Sequence, residues 1–152
     1  MRTLKWIGLI VVCVPLLVVA GAYIRNKAIG PVGWAEENTL DQLRARMRDP
    51  DSMRVRSSFV VLRTTENGDT EISICGIVDG KNAFGGYAGE TRFLSNSFHS
   101  ERLGVFDTRT VEIEKAEETT AARSVGRLSG FEQVYWNKYC VDAQHPALGV
   151  ES

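Results

Sequence analysis

Residues 6–24 run for 19 positions without a charged side chain, and that stretch limits what the rest of the chain can be. As a helix it would rise roughly 28 Å, close to the ~30 Å hydrocarbon core of a bilayer. Arg2 and Lys5 precede it, and Arg25 and Lys27 follow. Trp6 and Tyr23 stand at its ends, where aromatic rings favour the headgroup level. Pro15 lies mid-span, which a membrane helix tolerates when neighbouring groups satisfy the freed carbonyl. Three readings stay open. Residues 1–27 are a retained anchor, or a signal peptide with Arg2 and Lys5 as its basic region and Ala20-Gly21-Ala22 as its cleavage pattern, or, the least favoured, a buried helix of a soluble protein. The length of the run favours the anchor. Cys13 reads as one more small apolar residue, since Val12 before it does not suit a lipid-attachment signal. Each flank carries two basic residues, and the free amino terminus tips the short side towards the cytoplasm. That leaves residues 25–152 outside.

The first 30 residues hold four basic side chains and no acid, so 14 basic residues face 19 acidic ones beyond them. An exported part with that balance gives no support to nucleic-acid binding. Residues 28–37, with Gly30, Pro31 and Gly33, read as a linker. Residues 38–145 suffice for one domain with one modest core, and residues 146–152 read as a flexible tail.

Periodicity outlines an α+β fold: an N-terminal membrane helix, then a small antiparallel sheet of three to four strands with packed helices. Thr39 and Gln42 resemble a capping box, and Leu40, Leu43 and Met47 continue at helical spacing until Asp49-Pro50. Met53, Val55, Phe59 and Val61 alternate along a first strand. Asn67-Gly68 signals a type I′ hairpin turn. Ile72, Ile74 and Val78 line one face of the return strand, and Cys75 and Ile77 the other, with Gly76 marking a bulge or a close backbone contact. Residues 90–94 read as a third strand, 95–104 as a polar loop, and 105–113 as a fourth strand. Ala121, Ala122, Val125 and Leu128 suggest a helix over 117–128, weakened by Gly126. Ser129 and Glu132 form a second capping-box pattern, opening a terminal helix with Phe131, Val134, Tyr135, Trp136 and Tyr139.

Beyond the anchor the cysteines are Cys75 and Cys140. In an exported small domain an even count argues for one disulfide; in a reducing compartment the same two would be buried thiols. A disulfide would fasten the terminal helix to the second strand, on the face bearing Cys75.

Two surface features stand out as candidates. Residues 79–89 contain four glycines, with Phe84 and Tyr87 bracketing Gly85-Gly86. Such a loop permits close approach of a partner and offers flat rings, so Lys81, Asn82, Phe84, Gly85, Gly86 and Tyr87 are candidate partner-binding residues. The alternative is a tight turn whose rings cap the core. No Lys-Ser/Thr follows the glycines, so this is no phosphate loop. Arg44, Arg46, Arg48, Arg54 and Arg56 form a cluster suited to anionic headgroups, or a solvated face tempered by Asp49 and Asp51. No metal-ligand spacing, cofactor motif or catalytic motif is present, and the two histidines, His99 and His145, stand apart.

Leu43 with Arg48-Asp49-Pro50-Asp51-Ser52, then Cys75-Gly76-x-Val78, Lys81-Asn82-x-Phe84-Gly85-Gly86-Tyr87-x-Gly89 and Trp136-Asn137-Lys138-Tyr139-Cys140 together resemble a group of small bacterial proteins. These carry an N-terminal export or anchor segment. Asp79-Gly80 departs from the Asn-Ala expected in that group. The resemblance spans roughly residues 40–141; it implies bacterial origin, export and the cysteine pair, and brings no activity with it. The resulting expectation is a single-pass protein of the bacterial inner membrane, held in the lipid bilayer through residues 6–24, with its C-terminal domain in the periplasm. Signal cleavage would instead give a secreted domain. Its expected role is non-enzymatic, binding an envelope protein or other envelope component. Alternatives are a prophage exclusion or toxin-immunity protein and, further off, an envelope hydrolase assembled from distant residues.

Overall fold

The structure is a computed structural model that describes residues 2–87 and 89–150; the side chains of residues 2–13, 16, 24, 26 and 27 lie outside that description. The chain divides into two compact units, Met1–Trp34 and Ala35–Ser152. Helix α1 is Arg2–Arg46, broken at Gly30, whose φ of 67° and ψ of −177° are not helical. The expected linker is therefore mostly helical. Gly30 takes a left-handed φ that other residues adopt at a cost, and Pro31 follows where a helix start needs no N–H. Among the described residues no helix is long and apolar enough to cross a membrane. Much of the expected span, residues 6–13 and Leu16 in particular, falls among the side chains outside the description.

In the second unit, four strands form one antiparallel sheet in the order β1-β2-β3-β4. They are β1 (Arg54–Thr64), β2 (Thr70–Asp79), β3 (Thr91–Ser100) and β4 (Val105–Ile113). The α+β expectation with three to four strands holds. Ala35, Thr39 and Leu43, spaced four residues apart, are all buried. This puts the helix on the sheet face carrying Ile72, Ile74, Val78, Phe93 and Val111. Thr39 is mid-helix and is not a cap. Its hydroxyl bonds the Ala35 carbonyl (2.5 Å) and the Ser95 hydroxyl on β3 (2.6 Å).

β3 runs through the polar stretch expected to be a loop. Ser95, Asn96, Ser97 and Ser100 are all buried. They are tolerated because each of the central three finds a partner: Ser95 bonds Thr39, Asn96 donates to Ser73 (3.1 Å), and Ser97 pairs with Thr108 (2.9 Å). A satisfied buried hydroxyl costs little, whereas an orphaned one would not be tolerated. The β1–β2 hairpin also differs in detail. Gly68 has φ 79°, and no described non-glycine residue has positive φ, which excludes a type I′ turn at Asn67-Gly68. Gly68 N–H instead donates to the Thr65 carbonyl (2.9 Å) and Thr65 N–H to the Asp69 carbonyl (2.8 Å), closing a three-residue loop. The close approach expected at Gly76 is present. A Cβ there would collide with the Ser57 carbonyl and stand 2.9 Å from the Phe93 ring.

The opposite face bears Cys75 and Leu94. It is covered by a π-helical turn, Phe131–Trp136, that runs into α3 (Asn137–Tyr139). Cys75 and Cys140 form a disulfide with Cα atoms 5.8 Å apart. Phe59, Phe131, Tyr135, Trp136 and Tyr139 pack around the bridge and Leu94. Cover on both faces explains why β2 reads as a nearly continuous buried run. The shorter helix α2 is Ala116–Ser124. It stops before the expected Leu128 because Gly126 turns the chain at φ 67°, and Val125 is exposed. The end of the chain is not loose at Leu148 and Gly149. Asn137 exchanges two hydrogen bonds with the Leu148 backbone (2.8 and 2.9 Å), and Arg123 donates to the Gly149 carbonyl.

Candidate functional site

The antiparallel register brings the start of β1, the end of β2, the start of β3 and the end of β4 to one end of the sheet. Both surface features picked out in the sequence lie there. Arg54 pairs with Asp79 across β1 and β2, so Arg54 and Arg56 lie beside the loop that leaves β2.

That loop is a small ordered hairpin. Lys81 and Tyr87 form a bridge. The Asn82 Oδ1 accepts from the N–H groups of Phe84 (2.9 Å) and Gly86 (3.2 Å). Its backbone N–H donates to the Gly86 carbonyl (2.7 Å), and its carbonyl accepts from Gly85 (3.1 Å). A side-chain amide closing its own turn is what an Asn in this setting supplies. Gly85 adopts φ 80°, which a side chain would strain. The turn thrusts Phe84 into water, with 96% of its surface exposed. The ring does not cap the core. Tyr87 is less exposed, and the guanidinium groups of Arg54 and Arg56 lie 5.0 and 5.9 Å from its ring centre.

The five arginines serve different ends. Arg44 pairs with Asp41 one helical turn away (3.2 Å). Arg46 donates to the Val111 carbonyl, tying the end of α1 to β4. Arg56 binds Asp79 (2.8 Å). That bond, opposed by burial and helped by the Gly80 N–H, holds the Asp79 carboxyl below the usual carboxylate range. Arg54 stacks on Tyr87, and Arg48 is exposed. A cleft of about 280 Å³ opens here, lined by Arg46, Met47, Arg48, Val78, Asp79, Gly80, Lys81, Asn82, Gly89, Thr91 and Ile113. Asp79, the one carboxylate among these, is occupied by Arg56, so the cleft presents fixed positive charge and hydrogen-bond donors. Among the described residues no group of three or more His, Cys, Asp or Glu side chains could hold a metal ion.

A second charged cluster escaped the sequence reading. Arg92 binds Glu114 (2.7 and 2.5 Å) and Glu132 (2.8 Å), and Arg123 also binds Glu132 (2.8 Å). The capping box at Ser129 and Glu132 is reciprocal, with Ser129 N–H on the carboxylate (3.0 Å) and Glu132 N–H on the hydroxyl (3.2 Å). Glu132 is 1% exposed. Burial pushes its carboxyl up, but the bonds from Arg123, Arg92 and Ser129 prevail and hold it at about 2. Such a group is a fixed anion that locks the π-helical turn to the sheet. Only the capping-box spacing signalled it; its two arginines come from distant elements.

In comparisons with known proteins, no family model, no curated protein and no solved structure matches this chain.

Proposed function

We propose that the protein is a non-enzymatic binding domain of the bacterial cell envelope. It is tethered to the inner membrane through residues 6–24, has residues 35–152 in the periplasm, and contacts another envelope component through Lys81, Asn82, Phe84, Gly85, Gly86 and Tyr87. The observation that carries the reading is the Phe84 ring, 96% exposed on a turn fastened by Asn82. A bare ring in water is unfavourable, and a preorganised loop loses little entropy on binding. The Cys75–Cys140 disulfide supports an oxidising compartment. The uncharged run over residues 6–24 supports the tether. The resemblance to small exported bacterial proteins supports the envelope.

The test is a photoreactive benzophenone side chain placed at Phe84 in living cells, with the same group at Val125 as an exposed control. Covalent adducts from position 84 alone are expected. Equal yields at both positions would retire the loop as a contact surface.

A further inference from the structure

We propose that what this surface meets is the anionic phospholipid face of a bilayer, with Phe84 entering the headgroup–acyl boundary and the cleft beside it taking lipid phosphates. The proposal deepens the reading of the Phe84 loop as a contact surface and rests on it.

Charge is the first argument. Beyond residue 30 the chain has 14 basic residues against 19 acidic, so its domain is acidic as a whole. The cleft reverses that balance. Arg46, Arg48 and Lys81 line it, and the charge of Asp79 is countered by Arg56. A cationic concavity on an acidic domain selects an anion and orients the domain towards an anionic surface.

The second argument is the isolation of the ring. The other large exposed apolar side chain at this end is Tyr87, whose ring is attended by Arg54 and Arg56. Leu62, Leu103 and Val105 are exposed at the opposite end of the sheet, and Val125 and Val134 on the helical layer. A protein interface buries about 800 Å² per partner around an apolar centre. One projecting ring, with cationic side chains beside it in the same loop and cleft, offers no such centre. It has instead the composition of an interfacial membrane contact, with an apolar wedge, an amphipathic tyrosine and basic residues at headgroup depth. The Asn82 turn holds the wedge outward before contact, and Arg54 lies over the Tyr87 ring of the same hairpin.

The experiment uses the full chain reconstituted into vesicles of phosphatidylcholine alone or of phosphatidylcholine mixed with phosphatidylglycerol. An environment-sensitive fluorophore is attached at Ala83→Cys in a Cys13→Ala background. A blue-shifted emission in the anionic vesicles, lost at high salt, is the expected result. Arg48→Glu with Lys81→Glu should weaken the response about tenfold or more, and Phe84→Ala should reduce the shift while leaving its salt dependence. Identical emission in both vesicle types overturns the proposal, and so does a shift that ignores salt and charge reversal. The vesicle comparison needs no folded charge-reversal variant, so a variant that misfolds does not blunt it. A protein adduct from benzophenone at Phe84, with a fluorophore that never shifts, would reject lipid while sparing the binding loop. Absence of any adduct and of any shift would remove both.

Discussion

The two charged regions of the domain are built on opposite terms. Around Glu132 every charge is answered: two arginines and a backbone N–H converge on one buried carboxylate, and a disulfide lies on the same face of the sheet. At the end of the sheet where the Phe84 loop leaves β2, charge and ring face water, and order comes from one small hairpin closed by backbone bonds and the Asn82 amide. The first arrangement would be costly to disturb and has nothing exposed to offer. The second is cheap to alter and is all surface. Stability and recognition thus fall on different residues, and substitutions should separate them.

The largest expected effect is on the covered face. Replacing Cys75 and Cys140 by serine frees a loop with a sequence separation of 65 and should lower unfolding free energy by about 4 kcal/mol in urea titrations. A loss below about 1 kcal/mol would mean the aromatic cluster alone holds the terminal helix. Next, Glu132→Gln leaves Arg92 and Arg123 short of their counter-charge and should cost about 3 kcal/mol. The wild-type protein carries a matching acid signature. The folded carboxyl sits at about 2 against an ordinary 4.5. Its stabilisation is therefore complete above about pH 4.5 and is lost as pH falls through about 2, amounting to at most ~3 kcal/mol. Thermal melts across that window should be flatter for Glu132→Gln; equal slopes would assign the acid transition to other groups.

At the exposed end the effects shrink. Asn82→Ala removes the two side-chain bonds of the turn and should cost about 1 kcal/mol or less. Its sharper mark is faster amide exchange at Phe84 and Gly86. Unchanged exchange there would show that the Lys81–Tyr87 bridge suffices. Phe84→Ala should destabilise the fold least, within about 0.5 kcal/mol, while reducing the emission shift of the Ala83→Cys fluorophore on anionic vesicles. If it unfolds the domain, the ring contributes to the fold and the contrast between the two regions collapses.

What could be read from the residues tracks how local each signal was. β4 was visible because its alternation is self-contained, and so was the capping box at Ser129 and Glu132. β3 was half hidden: Ser95, Asn96 and Ser97 are polar, and what makes them a core strand is Thr39, Ser73 and Thr108, which lie far away in sequence. Thr39 was misplaced for the same reason, since its partner on the sheet outweighs its preference for a helix start. The glycine-aromatic loop and the arginine cluster were each apparent. Their meeting was not, because it depends on the pairing of Arg54 with Asp79. Arg92, Glu114, Arg123 and Glu132 carried no shared pattern at all.

The hydroxyl-rich segment at the middle of the sheet has a consequence before folding begins. While the polypeptide is still extended, Thr91–Ser100 holds too few greasy neighbours in a row to zip onto a copy of itself. It turns into interior only once Thr39, Ser73 and Thr108 arrive to claim its polar groups. The sheet thereby keeps its central rung dispersed until the whole assembly is ready to close around it.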